Sequence, residues 1–236
     1  MDNLYKLILE NINSSIIIKD GNKVIYNNDL LSLELNNINN NKDNKVIYKN
    51  KVYKVTYRKI NNYDLEVYED ISIYEKEIEK LKKDCLTDLY NRYAIFEKID
   101  ELKDKKYSIV MCDIDFFKKI NDQYGHLVGD YVLKGISSIL KNNIDGIVGR
   151  YGGEEFIIII PNVDSKECFN IIEKVRKRIE KTKIRVKYND CIKEFYVTMT
   201  FGITEYNKEN IEELIAKADE ALYKGKKNGR NQTNIF

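Results

Sequence analysis

Acidic residues collect at two places where the surrounding pattern leaves them room to act. Glu154 and Glu155 follow Gly152-Gly153 within the stretch from Arg150 to Pro161, RYGGEEFIIIIP. Two successive glycines predict a tight two-residue hairpin loop, because primed turns need the positive φ that glycine takes without Cβ strain. Ile147–Tyr151 and Glu155–Ile160 on either side are rich in strand formers. Phe156–Ile160 is apolar at every position, so this strand is expected to be buried on both faces. Taken alone, GGEE reads as an ordinary hairpin with solvated acids. A second cluster changes that reading. The apolar strand Tyr107–Asp113 ends in Asp113-Ile114-Asp115, at a strand end of the kind where ligands collect. Phe116 to Asn121 then open a helix, whose free N–H groups, with Lys118 beside them, form a cradle for phosphate. If strand and hairpin are neighbours, Asp113, Glu154 and Glu155 converge. Such a carboxylate set suits Mg²⁺ or Mn²⁺, ions that favour phosphate substrates.

The composition narrows the alternatives. Among 236 residues, 40 basic and 38 acidic side chains leave a net charge of +2, which suggests no nucleic-acid surface. No stretch approaches the ~18 apolar residues of a membrane span. Met1-Asp2-Asn3-Leu4 lacks the basic start and apolar run of a signal peptide. Cys85, Cys112, Cys168 and Cys191 are widely separated, as expected of reduced thiols in a cytoplasmic protein. His126 is the only histidine, which excludes a multi-histidine metal site.

The elements that must position these groups follow in order. Leu4–Ile12 reads as a short amphipathic helix, and Asp20-Gly21-Asn22 as the turn of a hairpin between Ile16–Ile18 and Val24–Tyr26. The asparagine-rich stretch 36–44 is expected to be a mobile loop. Lys45–Ile60 reads as a second hairpin turning at Lys49-Asn50, with a fifth strand from Leu65. Residues 71–85 read as a helical linker, with Ile71, Tyr74, Ile78, Leu81 and Cys85 at a/d spacing. That face either packs on its own domain or makes dimer contacts. A helix capped by Thr87 or Asp88 then carries Ile95, Phe96, Ile99 and Leu102. After the hairpin come a helix at 165–181, strands at 184–188 and 195–204, and a helix at 211–224 with a basic, glycine-containing end.

Residues from about 84 to the end resemble the GGDEF domain of diguanylate cyclases. The resemblance rests on DCLTDLYNR at 84–92, DIDFFKKIND at 113–122, YGHLVGD at 124–130, RYGGEEF at 150–156 and ALYKGKKNGRN at 221–231. It implies an α+β fold, a ferredoxin-like palm, over 86–236. Residues 1–70 resemble a shortened PAS-like sensor domain, a plain dimerisation sheet being the other reading. With no histidine and no cysteine before Cys85, a histidine-ligated haem or a cysteinyl-flavin is excluded there, and the ligand of such a sensor stays unknown.

The resemblance implies that two GTP are condensed to cyclic di-GMP and two pyrophosphates across a homodimer, each domain holding one GTP. Asp113, the carbonyl of Ile114, and Glu154 would bind Mg²⁺ or Mn²⁺, and Glu154 or Glu155 would assist deprotonation of the ribose 3′-OH. Phe117 and Lys118 would lie at the phosphates, with Lys118 offsetting their charge. Lys226 and Arg230 would grip the terminal phosphates. Asn121 and Asp130 would contact guanine, where a carboxylate accepts from a donor pair that adenine lacks, and His126 would fall at a third substrate-side position. Gly152, Gly153, Glu154, Glu155 and Phe156 form the signature, here GGEEF. Two departures stand out. Asn143 and Gly146 occupy the positions of the Arg-x-x-Asp inhibitory site of many relatives, so no such site is expected. Asp88 stands where a glycine is common. The rival reading is a catalytically silent GTP- or dinucleotide-binding domain.

Overall fold

The turns and apolar runs fold into two compact units in the computed structural model, residues 1–80 and 81–236. The structure describes residues 14–28, 44–102, 105–188 and 191–236. The expected helix at 4–12 and most of the loop at 36–44 lie outside them.

In the first unit, β1 (Ser15–Asp20), β2 (Lys23–Asn27), β3 (Lys45–Tyr48), β4 (Lys51–Ile60) and β5 (Tyr63–Asp70) form one antiparallel sheet in the order β2-β1-β5-β4-β3. Both expected hairpins are present. Lys49 and Asn50 take φ of 46° and 63°, the two positive values a primed two-residue loop requires. One face carries a small core of Ile17, Val46, Tyr53, Val55 and Tyr68. Helix α1 (Ser72–Leu81) follows, and Asp70 accepts from the Ser72 N–H at its start. No residue of α1 is buried. The helix ends at Leu81, so Cys85, which the heptad pattern included, lies beyond it and is exposed.

In the second unit, α2 (Arg92–Asp100) precedes β6 (Tyr107–Ile114), α3 (Phe117–Tyr124), α4 (His126–Asn143), β7 (Ile147–Gly152) and β8 (Glu155–Pro161). Then come α5 (Ser165–Lys181), the separate hairpin β9 (Ile184–Tyr188) and β10 (Cys191–Phe195), β11 (Met199–Glu205), α6 (Ile211–Lys227) and β12 (Thr233–Ile235). The sheet runs β12-β11-β6-β8-β7, antiparallel except for the parallel pair β11–β12. Without β12 this is the β-α-β-β-α-β arrangement of a ferredoxin-like palm.

Strand β8 shows why its run is wholly apolar. Phe156, Ile158 and Ile160 enter the core that holds α4 and α5, while Ile157 and Ile159 enter the opposite core with α2 and α6. Burying each such side chain contributes about 1.5–3 kcal/mol, and the strand positions the hairpin through both faces. Three local expectations are corrected. The cap of α2 is Asn91, whose side chain accepts from the Ala94 N–H, because Thr87 bonds Asp84 and Asp88 pairs with Lys141. Residues 195–204 are not one strand, since Phe195 ends β10 and β11 begins at Met199. The last helix continues to Lys227, with Gly225 buried inside it.

Candidate active site

The loop between β7 and β8 is Gly153-Glu154 rather than Gly152-Gly153. Gly152 still pairs with Glu155, after a bulge between Arg150 and Gly152, and only Gly153 takes positive φ, +47°. Glu154 therefore sits in the turn itself and Glu155 opens the strand. The turn is pinned from behind. Arg150 donates through Nε and Nη2 to the Gly153 carbonyl (2.9 and 2.8 Å) and through Nη1 to Asp84 (3.2 Å to Oδ1). Asp84 also accepts from the Thr87 N–H and hydroxyl. Sequence reasoning did not foresee this tie between residues 84–92 and the hairpin.

Asp113 lies directly opposite Glu155 in the β6–β8 register, and the Ile114 N–H donates to the Glu154 carbonyl at 3.4 Å. The three acidic residues thus lie at one end of the sheet. Asp113 is 7 % exposed, and burial pushes its carboxyl up to about 6. The hydrogen bond from Lys226 Nζ, 2.9 Å away, works against that rise, while Glu154 and Glu155 add to it. Among the described residues no three His, Cys, Asp or Glu side chains close on a point that would hold a metal ion by themselves. An open set of oxygen donors fits Mg²⁺, which keeps waters and takes one or two carboxylates together with substrate phosphates.

Beside this cluster the chain turns into α3 through Phe116, in the left-handed region at φ 57° and with no side-chain cap on the helix. The first N–H groups of α3 are left for a ligand or solvent. Lys118 is exposed, whereas the Phe117 side chain is buried in the core, so Phe117 can offer a ligand only its backbone. Asn121 carries a buried Oδ1 with no hydrogen-bond partner. A Cβ on Gly129 would collide with that oxygen, so glycine there lets α4 pass close to α3. Asp130 follows Gly129, half-buried, and exposed His126 stands one turn before it on α4. Arg230 lies with its guanidinium 4.5 Å from the centre of the Phe116 ring.

The residues read from the sequence therefore fall into two neighbouring groups, one at the end of β6 and one along α3 and α4. Asp115 was not singled out. It is 4 % exposed and accepts from the hydroxyls of Thr198 and Thr200 (2.7 Å each) and from the Asn231 N–H (3.0 Å). The two threonines, spaced two apart opposite a strand end, were the available signal. Elsewhere, Asn143 borders a groove of about 520 Å³ with Lys174, Lys177, Arg178 and Lys181 of α5.

A ferredoxin-like sheet with carboxylates at the end of its central strand defines an α+β palm. Residues 81–232 match the family described as diguanylate cyclase, GGDEF domain, and the chain belongs to that family. Diguanylate cyclase A of Treponema denticola is 41 % identical over 138 residues, 56 % of this chain and 36 % of that protein. Diguanylate cyclase VdcA of Vibrio cholerae is 36 % identical over 172 residues, 69 % of this chain and 50 % of that protein. The chain thus spans half or less of the length of these curated relatives. The coiled coil and GGDEF domain of DgcB from Caulobacter crescentus, solved with c-di-GMP, superposes with a TM-score of 0.64 at 26 % identity, covering 70 % of this chain and 90 % of that one. The active GGEEF domain of a Vibrio cholerae diguanylate cyclase superposes at 0.51 with 32 % identity, covering 61 % and 90 %.

Proposed function

We propose that the chain is a diguanylate cyclase that joins two GTP into cyclic di-GMP and releases two pyrophosphates. The observation that carries this is the placement of Asp113, Glu154 and Glu155 at one sheet end, with Lys226 on Asp113 and an open helix start alongside. Asp113, the Ile114 carbonyl and Glu154 hold Mg²⁺ or Mn²⁺. When bound, such ions help activate the ribose 3′-oxygen and steady the leaving pyrophosphate. Glu154 or Glu155 takes the proton of the 3′-OH. Lys118 and the N–H of Phe117 face the phosphates, and Lys226 and Arg230 hold the terminal ones. Asn121 and Asp130 read guanine, with His126 beside them. The orphaned Asn121 Oδ1 supports this, since a buried acceptor without a partner costs about 1–3 kcal/mol until a ligand supplies a donor.

Each domain holds one GTP, so the working unit is a homodimer in the cytoplasm. Residues 1–70 act as a PAS-like sensor or dimerisation domain and 71–85 as the linker; the five-stranded antiparallel sheet supports the sensor reading. The GGEEF form is compatible with turnover, since the solved Vibrio cholerae relative is described as an active GGEEF domain. The alternative is a silent domain that binds GTP or a dinucleotide. It is disfavoured because Asp113, Gly152, Gly153, Glu154 and Glu155 are all retained. Product inhibition is expected to be weak, since Asn143 and Gly146 lack the charged pair that grips a dinucleotide.

Incubating the purified protein with GTP and Mg²⁺ and separating the nucleotides tests the reading. Wild type should yield cyclic di-GMP and pyrophosphate. Glu154→Gln, which removes a charge at a turn without changing volume, should lower the rate by about 10²-fold or more. Wild-type turnover by a folded Glu154→Gln protein would overturn the metal assignment. GTP binding by the wild type without product would favour the silent alternative.

A further inference from the structure

The segment carrying Arg230 is folded in a way its own sequence does not explain. Gly229, Arg230 and Asn231 take φ of 109°, 64° and 46°, three left-handed residues in succession. Only glycine adopts that region freely, so Arg230 and Asn231 need outside support to stay there. The local bonds are modest: the Arg230 N–H and the Gln232 amide both donate to the Gly225 carbonyl at 3.0 Å. The remaining support comes from far along the chain. The Asn231 N–H donates to the buried carboxylate of Asp115. The Asn231 side chain accepts from Arg176 (2.7 Å) and donates to Glu180 (2.9 Å) on α5. The Arg230 guanidinium lies over the Phe116 ring.

Phe116 is as unusual as the segment it meets. It is a bulky residue at φ 57°, yet 52 % exposed, so burial does not repay its backbone strain. Its ring carries the Arg230 guanidinium at 4.5 Å and the Lys119 ammonium at 4.6 Å. A guanidinium held over a ring still has N–H donors to offer an anion. Consecutive residues at the end of β6 thus hold consecutive residues of the C-terminal turn: Asp115 holds the backbone of Asn231, and Phe116 holds the side chain of Arg230.

We propose that Asp115 and Phe116 are positioning residues that latch the C-terminal turn to the end of β6 and so fix where Arg230 meets the γ-phosphate, the one a diphosphate lacks. This rests on the reading of Arg230 as a phosphate grip. Through the latch, the preference for a triphosphate over a diphosphate depends on two residues that touch neither. Asp115 accepts three hydrogen bonds, from Thr198, Thr200 and Asn231, which hold its carboxylate toward β11 and the C-terminal turn.

The test measures affinity by calorimetry on the full chain with Mg²⁺. The probes are the guanosine triphosphate and diphosphate whose α and β phosphates are joined by a methylene group, so that no pyrophosphate can leave. Phe116→Leu keeps an exposed apolar side chain and removes the π face. It should weaken the triphosphate about three-fold and leave the diphosphate unchanged. Phe116→Tyr restores the face and should restore the affinity. Asp115→Ala should weaken the triphosphate roughly ten-fold, again sparing the diphosphate. Equal losses for both nucleotides, or a Tyr variant no better than Leu, would overturn the latch. If the wild type itself binds the two nucleotides equally, the phosphate-grip reading of Arg230 falls first. A wild-type preference that survives in all three variants sinks the latch alone.

Discussion

Asp113 is kept at a cost by the folded chain. Its carboxyl ordinarily titrates near 3.8 and is held up to about 6 by burial, which Lys226 offsets only in part. Between these values the folded state binds more protons than the unfolded one, so stability rises as pH falls through that window and is lost as pH climbs past 6. At neutral pH the ionised Asp113 therefore costs on the order of 1–3 kcal/mol. Asp113→Asn removes the charge while nearly keeping the shape. Without divalent ions it should melt a few degrees above wild type at pH 7.5. That gain should shrink at pH 5, where wild-type Asp113 takes up a proton. An equal or lower melting point at pH 7.5 would show that Lys226 fully compensates the carboxylate. Much at this scale was legible: Asp113, Glu154 and Glu155 are acids beside apolar runs, and acids in such places invite a question. The role of Asp115 was harder to read, because spacing does not say which of two acids is engaged by the hydroxyls of Thr198 and Thr200, more than 80 residues away.

At the scale of elements, α3 and α4 are set by the close passage at Gly129. A methyl group there meets the side-chain amide oxygen of Asn121 and the edge of the Phe117 ring. The Asn121 side chain is the more mobile of the two and must swing aside, leaving both helices in place. Gly129→Ala should therefore fold and lose affinity for GTP by about ten-fold, while inorganic triphosphate with Mg²⁺ binds as before. Equal weakening of both by calorimetry would mean that α4 itself has moved. The strands were readable because β8 is apolar from Phe156 to Ile160 and β6 has few polar positions. The hairpin loop came out one residue away from the expected place. Two glycines make either position permissible, and the bulge at Arg150 decides between them through bonds to Gly153 and Asp84. The start of α2 was missed for a similar reason. Thr87 and Asp88 are good caps in isolation, but each is already committed to a partner, leaving Asn91.

At the scale of the whole molecule, α1 is the element least explained by its own unit. It has ten residues, none buried, and isolated helices below about 12–15 residues are marginal in water. The Asp70–Ser72 cap and the Lys45–Glu75 pair (3.0 Å) anchor its first turn. Its apolar side chains remain uncovered: Ile73, Tyr74, Ile78 and Leu81 are 45–77 % exposed. Tyr74, Ile78 and Leu81 keep the a/d spacing of a two-helix seam. A second copy of the chain is the partner that the proposed function already needs, since one domain holds only one GTP. Burying one Leu or Ile is worth about 1.5–3 kcal/mol, and a symmetric seam buries each position twice. Replacing both Ile78 and Leu81 by Lys in the full chain should weaken the dimer roughly a hundred-fold or more. In sedimentation the variant should stay monomeric at concentrations where wild type pairs. Its cyclisation rate per protomer should rise with protein concentration over a range where the wild-type rate is already flat. Both substitutions leave the carboxylates and the nucleotide groups untouched, so a rate lost at every concentration would point to misfolding, and circular dichroism separates that case. A variant whose dimerisation and concentration dependence match wild type would show that the two copies meet elsewhere.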